Sequence, residues 1–501
     1  MRIDSSLPGS RRHADGATLV CLFALALLLI PARLVLRGLP MSLTLADVVA
    51  LLLLLVWLLA QFTTTLGAAK GANPVRTAIF AYGMAFLTCY GFASLGYLPS
   101  DELNLADHSL VLFAGYVGLV LMMCDGVRGR DRLDFVLKTV VVAGAIVSVV
   151  AVCQYLLEFD PTTYMSLPGF RHTSVEGTET VMSRADLRRV AATLGHPIEF
   201  GVFCSMVLPF AAHFALQARD RGEPWRRWWL CAALIAAGLM FSVSRSAVLG
   251  TVVVGAVLFT GWPLRRCLVS LGALAVFLGA MKVAAPGLLG TFYNLFANAG
   301  SDDSILYRTH DYPFALTEVT KHPLFGRGIG TWYPYKHQVF DNQYLLSLVE
   351  TGVVGVVAFV GVIVCGVIVA LRARRLSRDP NVRNLALTIA ACLLVPLVGA
   401  ATFDLLSYPG VTSLMFLLIG AAGSLLRALK AENAAAPPPR PRRWRHVPGY
   451  APRRSRSSAQ DPADRSRPLI GPTGSGHGSA RSGSSYRTAR SSDGSCSRSM
   501  R

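Results

Sequence analysis

The sequence predicts an all-α polytopic membrane protein, with about 12 transmembrane helices and a large extracytoplasmic loop between spans 9 and 10. Three observations carry that expectation. Of the 501 residues, 53% are hydrophobic and only 15% charged, which is too little polar surface for a water-soluble globule of this size. Apolar runs near or beyond the ~20 residues that a helix needs to cross the hydrocarbon core recur along the chain. Basic residues alternate from one intervening segment to the next, as the positive-inside rule requires.

In chain order, the polar stretch 1-16 carries Arg2, Arg11 and Arg12 and is expected to be a cytoplasmic N-terminus. Standing before an apolar run from Ala17, this stretch resembles the n-region of a signal peptide. A second run follows at once, however, and the segment from Pro31 to Pro40 is bulky, so a retained first span is expected. The transmembrane domain, 17-427, is expected to hold spans at 17-39, 43-61, 77-98, 109-124, 135-157, 192-216, 228-243, 246-262, 267-285, 342-370, 384-403 and 411-427.

With the N-terminus inside, the cytoplasmic loops contain Lys70 and Arg76, then Arg128, Arg130 and Arg132, then Arg219, Arg221, Arg226 and Arg227. The pattern continues through Arg265 and Arg266 to Arg372, Arg374, Arg375, Arg378 and Arg383. On the opposite face, segments 99-108 and 404-410 contain neither Lys nor Arg. The same face receives the two long connections 158-191 and 286-341, so it has room for a site.

Residues 431-501 are expected to form a disordered basic cytoplasmic tail, too poor in large apolar residues to offset its chain entropy. From Pro437 onward it carries 14 Arg against 3 Asp. Such a tail suits anionic lipid headgroups or simple solvation, and no motif for nucleic acid is present. Nine of the ten cysteines lie in or beside apolar runs without a CxxC pair, which makes them small buried hydrophobes rather than a disulfide framework.

Three polar clusters stand at expected outer ends of helices. RRVAATLGHPIEFG brings Arg188, Arg189, His196 and Glu199 to the sixth span, where His196-Pro197 also fits a plain helix entry. FSVSRSAVLG sets Ser242, Ser244, Arg245 and Ser246 between two apolar segments. An arginine there meets water, an anion or a carboxylate, or snorkels to the interface. The third cluster is the segment 302-355. Ser304 to Thr320 reads as an amphipathic helix that carries Arg308, His310 and Asp311. HPLFGRGIG follows, with glycines that permit tight backbone. VFDNQYLLSLVETG then opens the tenth span, with Asp341 and Asn342 at its mouth and Glu350 two turns further in.

Asp341 is open to two readings, a helix cap or a chemical group. The glycines are spaced GxGxG with no preceding strand, so they are not a dinucleotide fingerprint. His310, His322 and His337 lack metal-ligand spacing, and neither a metal nor a cofactor is assigned.

Taken together, SxSR at one span end, an arginine in a loop helix, HPLFGRGIG, and DNQYLLSLVETGVVG on the next span resemble the O-antigen ligase and O-antigen polymerase superfamily of bacterial membrane glycosyltransferases. The resemblance covers about 190-365. It implies an enzyme of the bacterial cytoplasmic (inner) membrane, multi-pass, with its active site facing outside. That enzyme would move glycan from a polyprenyl-diphosphate carrier onto an acceptor sugar hydroxyl. The implied partners are the lipid-linked glycan donor, the glycan acceptor and the bilayer, with room for other surface-polysaccharide assembly proteins.

The resemblance also implies catalytic roles for Arg245 and Arg308, on the diphosphate, and for Asp341. Substrate-binding roles are expected for Asn342, His337, His196, Arg189 and Ser244. Ligases of the family usually carry His-Asn where this chain has Asp341-Asn342, which favours a surface-polysaccharide polymerase or a related transferase over a lipid A-core ligase, and a glycan ligase or protein O-oligosaccharyltransferase of the same superfamily is the alternative. His337 is the substitute base if Asp341 is only a cap. A polysaccharide flippase is the alternative from another class. It would need ionisable groups or broken helices near the midplane, whereas Asp47, Glu158, Lys282 and Asp404 sit at span ends.

Overall fold

The computed structural model describes residues 15–39, 41–62, 71–96, 98–173, 181–184, 187–297 and 303–435, of which 181–184, 187, 294–296 and 303–310 are described in backbone only. Most of the expected N-terminal segment and of the basic tail lies outside the described residues. The chain begins with α1 (Gly16–Leu29), α2 (Leu45–Gln61), α3 (Pro74–Leu95), α4 (Ser100–Leu121) and α5 (Arg130–Leu156). Next come α6 (Pro197–Asp220), α7 (Arg226–Phe241), α8 (Arg245–Phe259) and α9 (Leu264–Ala284). Two helices, α10 (Leu288–Ala297) and α11 (Asp303–Val319), lie within the segment 286–341. The order ends with α12 (Gln343–Leu376), α13 (Pro380–Gly399) and α14 (Pro409–Ala435).

Each expected span overlaps one of these helices. Eight are long and apolar enough to cross a membrane: α3, α4 with the π-helical turn that extends it to Gly126, α5, α6, α9, α12, α13 and α14. Three more, α1, α2 and α8, are apolar but shorter, and α7 has 16 residues. The chain is thus a multi-pass helical membrane protein. The most hydrophobic 18-residue window of α14 is 94% buried and that of α6 83%, against 11% for α9, so α14 and α6 form the centre of the bundle and α9 its rim.

The structure departs from the expected elements in two places. The first span was expected to run to 39, but α1 stops at Leu29, because a residue before proline is pushed out of helical backbone and Pro31 follows closely. The chain turns instead into β1 (Leu34–Leu36), which pairs antiparallel with β2 (Phe170–His172). A second hairpin joins β3 (Val181–Arg184) to β4 (Leu187–Val190). Segment 99–108 was expected as a loop but is helical from Ser100, directly after Pro99. Its Asp101 and Glu102 fall in the first turn, where acidic side chains favour the helix dipole.

Basic residues of the expected cytoplasmic loops meet at one end of the bundle. There Arg76 and Arg427 flank the buried Asp125, at 3.3 and 3.8 Å, and Arg130 reaches Asp379 at 3.2 Å. The opposite end, called the mouth here, gathers the N-terminal ends of α4, α6, α8, α12 and α14. Gly410 N–H donates to Glu199, Ser246 meets Thr402, and Arg327 meets Glu102.

One element of the mouth is discontinuous. Within α12, Gly352 has φ 62° and ψ −166°, a conformation open to glycine and costly for any other residue. The break releases backbone groups, and the HPLFGRGIG loop takes them up. Arg327 and Gly328 N–H donate to the Val349 and Glu350 carbonyls, both at 2.9 Å, while Val353 and Val354 N–H donate to Pro323 (3.0 Å) and Leu324 (3.1 Å). A Cβ on Gly326 would lie 2.2 Å from the Glu350 carbonyl carbon, which is why this loop is glycine-rich. Charge is therefore not confined to span ends, since the Glu350 side chain sits just before the break and accepts from Trp332 N–H at 3.1 Å.

Candidate functional site

The mouth is assembled from helix starts that sequence dictates locally. At α6, Pro197 occupies the first turn, where its missing N–H costs nothing, and His196 caps the helix, its Nδ1 accepting from Ile198 N–H at 3.1 Å. Ser244 caps α8, its Oγ accepting from Ala247 N–H at 3.4 Å. The residue before it, Val243, is fully buried with φ 43°. A β-branched side chain in that region is strained, and such strain persists only where the surroundings impose it.

Asn342 caps α12: its Oδ1 accepts from Tyr344 and Leu345 N–H at 3.0 and 3.3 Å. This settles the two readings of Asp341 on one point, because the cap belongs to its neighbour. The Asn342 amide also donates to the Tyr312 hydroxyl at 3.2 Å, tying α11 to the start of α12.

Gln343 welds this start to the turn between α13 and α14. Its N–H donates to Ala400 O at 2.7 Å, and its side-chain oxygen accepts from Leu406 N–H at 2.7 Å. Asp404 and Tyr408 are thereby brought beside Asp341. Burial, followed by repulsion from Asp341, raises the Asp404 pKa to about 6. The Tyr408 hydroxyl is pushed up by burial and by the charges of Asp404, Glu199 and Asp341. Arg189, on β4, is 8% exposed, opposes that rise, and donates from Nε to Ser242 O at 3.4 Å.

His196 stacks near Tyr408, with ring centroids 5.4 Å apart. Burial and the Arg189 charge hold its pKa near about 4. Since Nδ1 is an acceptor in the cap, the neutral ring carries its proton on Nε2, and His196 is a donor rather than a base.

Of the expected site residues, Arg189, His196, Ser244, Arg245, Asp341 and Asn342 are therefore brought to one mouth from three separate stretches. Arg245 is the first residue of α8, directly after the Ser244 cap. Arg308 lies on α11, one turn before Tyr312, and its side chain is outside the described residues.

His337 belongs to a different group. Its Nε2 is 3.4 Å from Glu102 Oε1, and its ring stacks on Trp332 at 4.3 Å between centroids. The same fully buried Glu102 takes Arg327 at 2.7 Å and Lys336 at 2.7 Å. His337 thus forms part of a tether between α4 and the loop.

Sequence reasoning did not assign roles to Asp404, Tyr408 or Gln343. Asp404 and Tyr408 sit in the short segment 404–410 without Lys or Arg, and that lone acid beside a Tyr-Pro helix entry was the signal available. Beside them opens a cavity of about 270 Å³, lined by Arg33, Thr173, His196, Glu199, Ser407 and Tyr408 among others.

Residues 230–360 match the family model described as O-antigen ligase. The matched stretch contains Arg245, Arg308, His337, Asp341, Asn342 and the loop-to-helix splice, while Arg189, His196, Asp404 and Tyr408 lie outside it. No curated protein matches the chain.

Proposed function

With an O-antigen ligase family segment at residues 230–360 as the premise, we propose that this protein is a polyprenyl-diphosphate-glycan-dependent transferase that polymerises surface-polysaccharide repeat units at the outer face of the cytoplasmic membrane. The observation that carries the reading is the meeting of cations and carboxylates from separate stretches at one mouth. Arg189 and Tyr408 are in electrostatic reach of each other, and Tyr408 also feels Asp341 and Asp404.

In the proposed reaction the acceptor hydroxyl oxygen attacks the anomeric carbon, whose bond to the diphosphate breaks with the electron pair leaving on the diphosphate oxygen. Arg189, Arg245 and Arg308 offset that added charge, which a planar guanidinium does through paired hydrogen bonds. The proton of the hydroxyl passes to the Asp341 carboxylate. Asn342 and the neutral His196 present hydrogen-bond donors to sugar hydroxyls, and Ser244 sets the start of the helix that carries Arg245.

Polymerase is preferred to ligase because Asp341 stands where ligase relatives carry His. A flippase is disfavoured because the backbone groups freed at Gly352 are consumed by the 323–328 loop rather than lining an open path. Gel analysis of surface glycans in a deletion strain tests the assignment. Single capped repeats are expected. Long polymer retained on the lipid carrier would make the protein a ligase, and absence of both outside the cell would make it a transporter.

A further inference from the structure

The cavity beside the mouth has an uneven wall. Glu199 is 1% exposed, and both its oxygens are occupied, Oε2 by Gly195 N–H at 2.9 Å and Oε1 by Gly410 N–H at 2.6 Å. It stiffens the wall and offers a ligand no carboxylate. Arg33 is the cation of that wall. Its Nη2 donates to Thr162 Oγ1 at 2.6 Å, and Asp160 Oδ2 stands 3.9 Å away, beyond hydrogen-bond length.

The other Asp160 oxygen, Oδ1, already accepts from Thr162 N–H, the Thr162 hydroxyl and Gln154 Nε2, at 2.9, 2.7 and 2.9 Å. Among the described residues the Arg33 side chain makes one hydrogen bond, although a guanidinium has five N–H donors. The main chain around it is fixed. Ala32 N–H donates to Thr193 O at 2.9 Å, and Thr173 N–H donates to the Arg33 carbonyl at 2.8 Å. An arginine held on one nitrogen, with its backbone clamped on both sides, is preorganised for a planar anion.

The rest of the wall suits a sugar. Tyr408 and His196 present aromatic rings, the His196 Nε2–H is a donor, and Ser407 and Thr173 add hydroxyls. Tyr408, which lines the cavity, is also in electrostatic reach of Asp341.

We propose that this cavity is a subsite for an acidic sugar of the acceptor glycan, in which Arg33 binds the sugar carboxylate while His196 and Tyr408 hold the ring. The proposal rests on the glycan-transferase reading for its substrate class, and its test reads binding without a lipid-linked donor. A competing account makes Arg33 only a strut between the β1 segment and the Asp160–Thr162 turn. The two accounts differ in whether charge on the sugar matters.

The full-length protein in detergent is titrated with methyl β-D-glucuronide and methyl β-D-glucoside by saturation-transfer NMR. Wild type is expected to prefer the glucuronide by about tenfold, the scale of one charge-assisted bond. Arg33→Gln should reduce the preference to about unity, Arg33→Lys should retain part of it, and His196→Ala should weaken both ligands. Equal binding of both sugars by wild type, no binding of either, or a preference that survives Arg33→Gln would overturn the proposal. Glucuronide preference in a protein with no glycan transfer would retain the subsite and remove the proposed function. Glycan transfer without that preference would do the reverse.

Discussion

Two polar groups lie at the same end of the bundle and are built on opposite plans. Around Glu102, one buried carboxylate is saturated by Arg327, Lys336 and His337, and every member is spent on joining α4 to the loop. Around Asp404, two carboxylates approach each other beside Tyr408 and Arg189, next to a strained Val243 and an open cavity. Paired and closed polar clusters hold a fold, whereas a carboxylate whose pKa is raised chiefly by burial, with a second carboxylate in electrostatic reach, is the kind of group that functional sites hold. The comparison teaches that HPLFGRGIG, the most recognisable motif in the chain, works in the first plan. The residues with chemical potential come from scattered stretches in the second.

The largest effect that can break this contrast is at the base. Asp341→Asn removes the charge and leaves the cap, which Asn342 supplies. Glycan transfer should fall by about 10²–10⁴-fold at normal membrane levels and unchanged melting temperature. His337→Ala should retain most activity and lose some stability. The opposite pair of results would move the base to His337 and place the Glu102 group in the reaction.

Next in size is Glu102→Ala, which strands Arg327 and Lys336. Breaking a buried pair costs about 3–5 kcal/mol, and because Arg327 is 31% exposed the loss should be nearer about 2 kcal/mol. Thermal unfolding in detergent should register it, while turnover of the protein that remains folded stays close to wild type. A collapse of turnover with no change in melting temperature would contradict the tether.

The smallest effect expected is in pH dependence. Because the Asp404 pKa is raised to about 6, its stabilising contribution is present below the ordinary carboxylate pKa of ~3.9 and is lost as pH rises through about 6. Ionisation of Asp404 also changes the field at the mouth, so transfer should change over the same interval in which stability declines. Asp404→Asn should flatten both profiles near pH 6. Profiles unchanged by that substitution would detach Asp404 from the site.

How much was legible in the sequence follows from the range of each interaction. The helices were legible because a span is a local run of apolar residues, and each of the twelve expected segments meets a helix. The β1–β2 ribbon was not, since the pairing of Leu34 with His172 joins positions far apart in sequence, whereas the early stop of α1 had a local signal in Pro31. The helical start at Ser100 was missed because its polar residues read as loop, when their partners, Tyr333, Lys336 and Arg327, lie more than two hundred positions away. At the site, Arg189, His196, Arg245 and Asp341 stood out as polar residues at span ends. Asp404 was noted as a charge at a span end but given no role, and Tyr408 was not noted, because the weld through Gln343 is what brings them to Asp341.

The splice at Gly352 sets a direction to how the mouth can be made. The ribosome delivers 323–328 before 349–354, so the backbone donors and acceptors that the helix break requires are already synthesised when the break emerges. A chimera that imports α12 from a relative without its own upstream loop would leave Val349, Glu350, Val353 and Val354 without their main-chain partners, and the two pieces must therefore be inherited, exchanged and engineered as one.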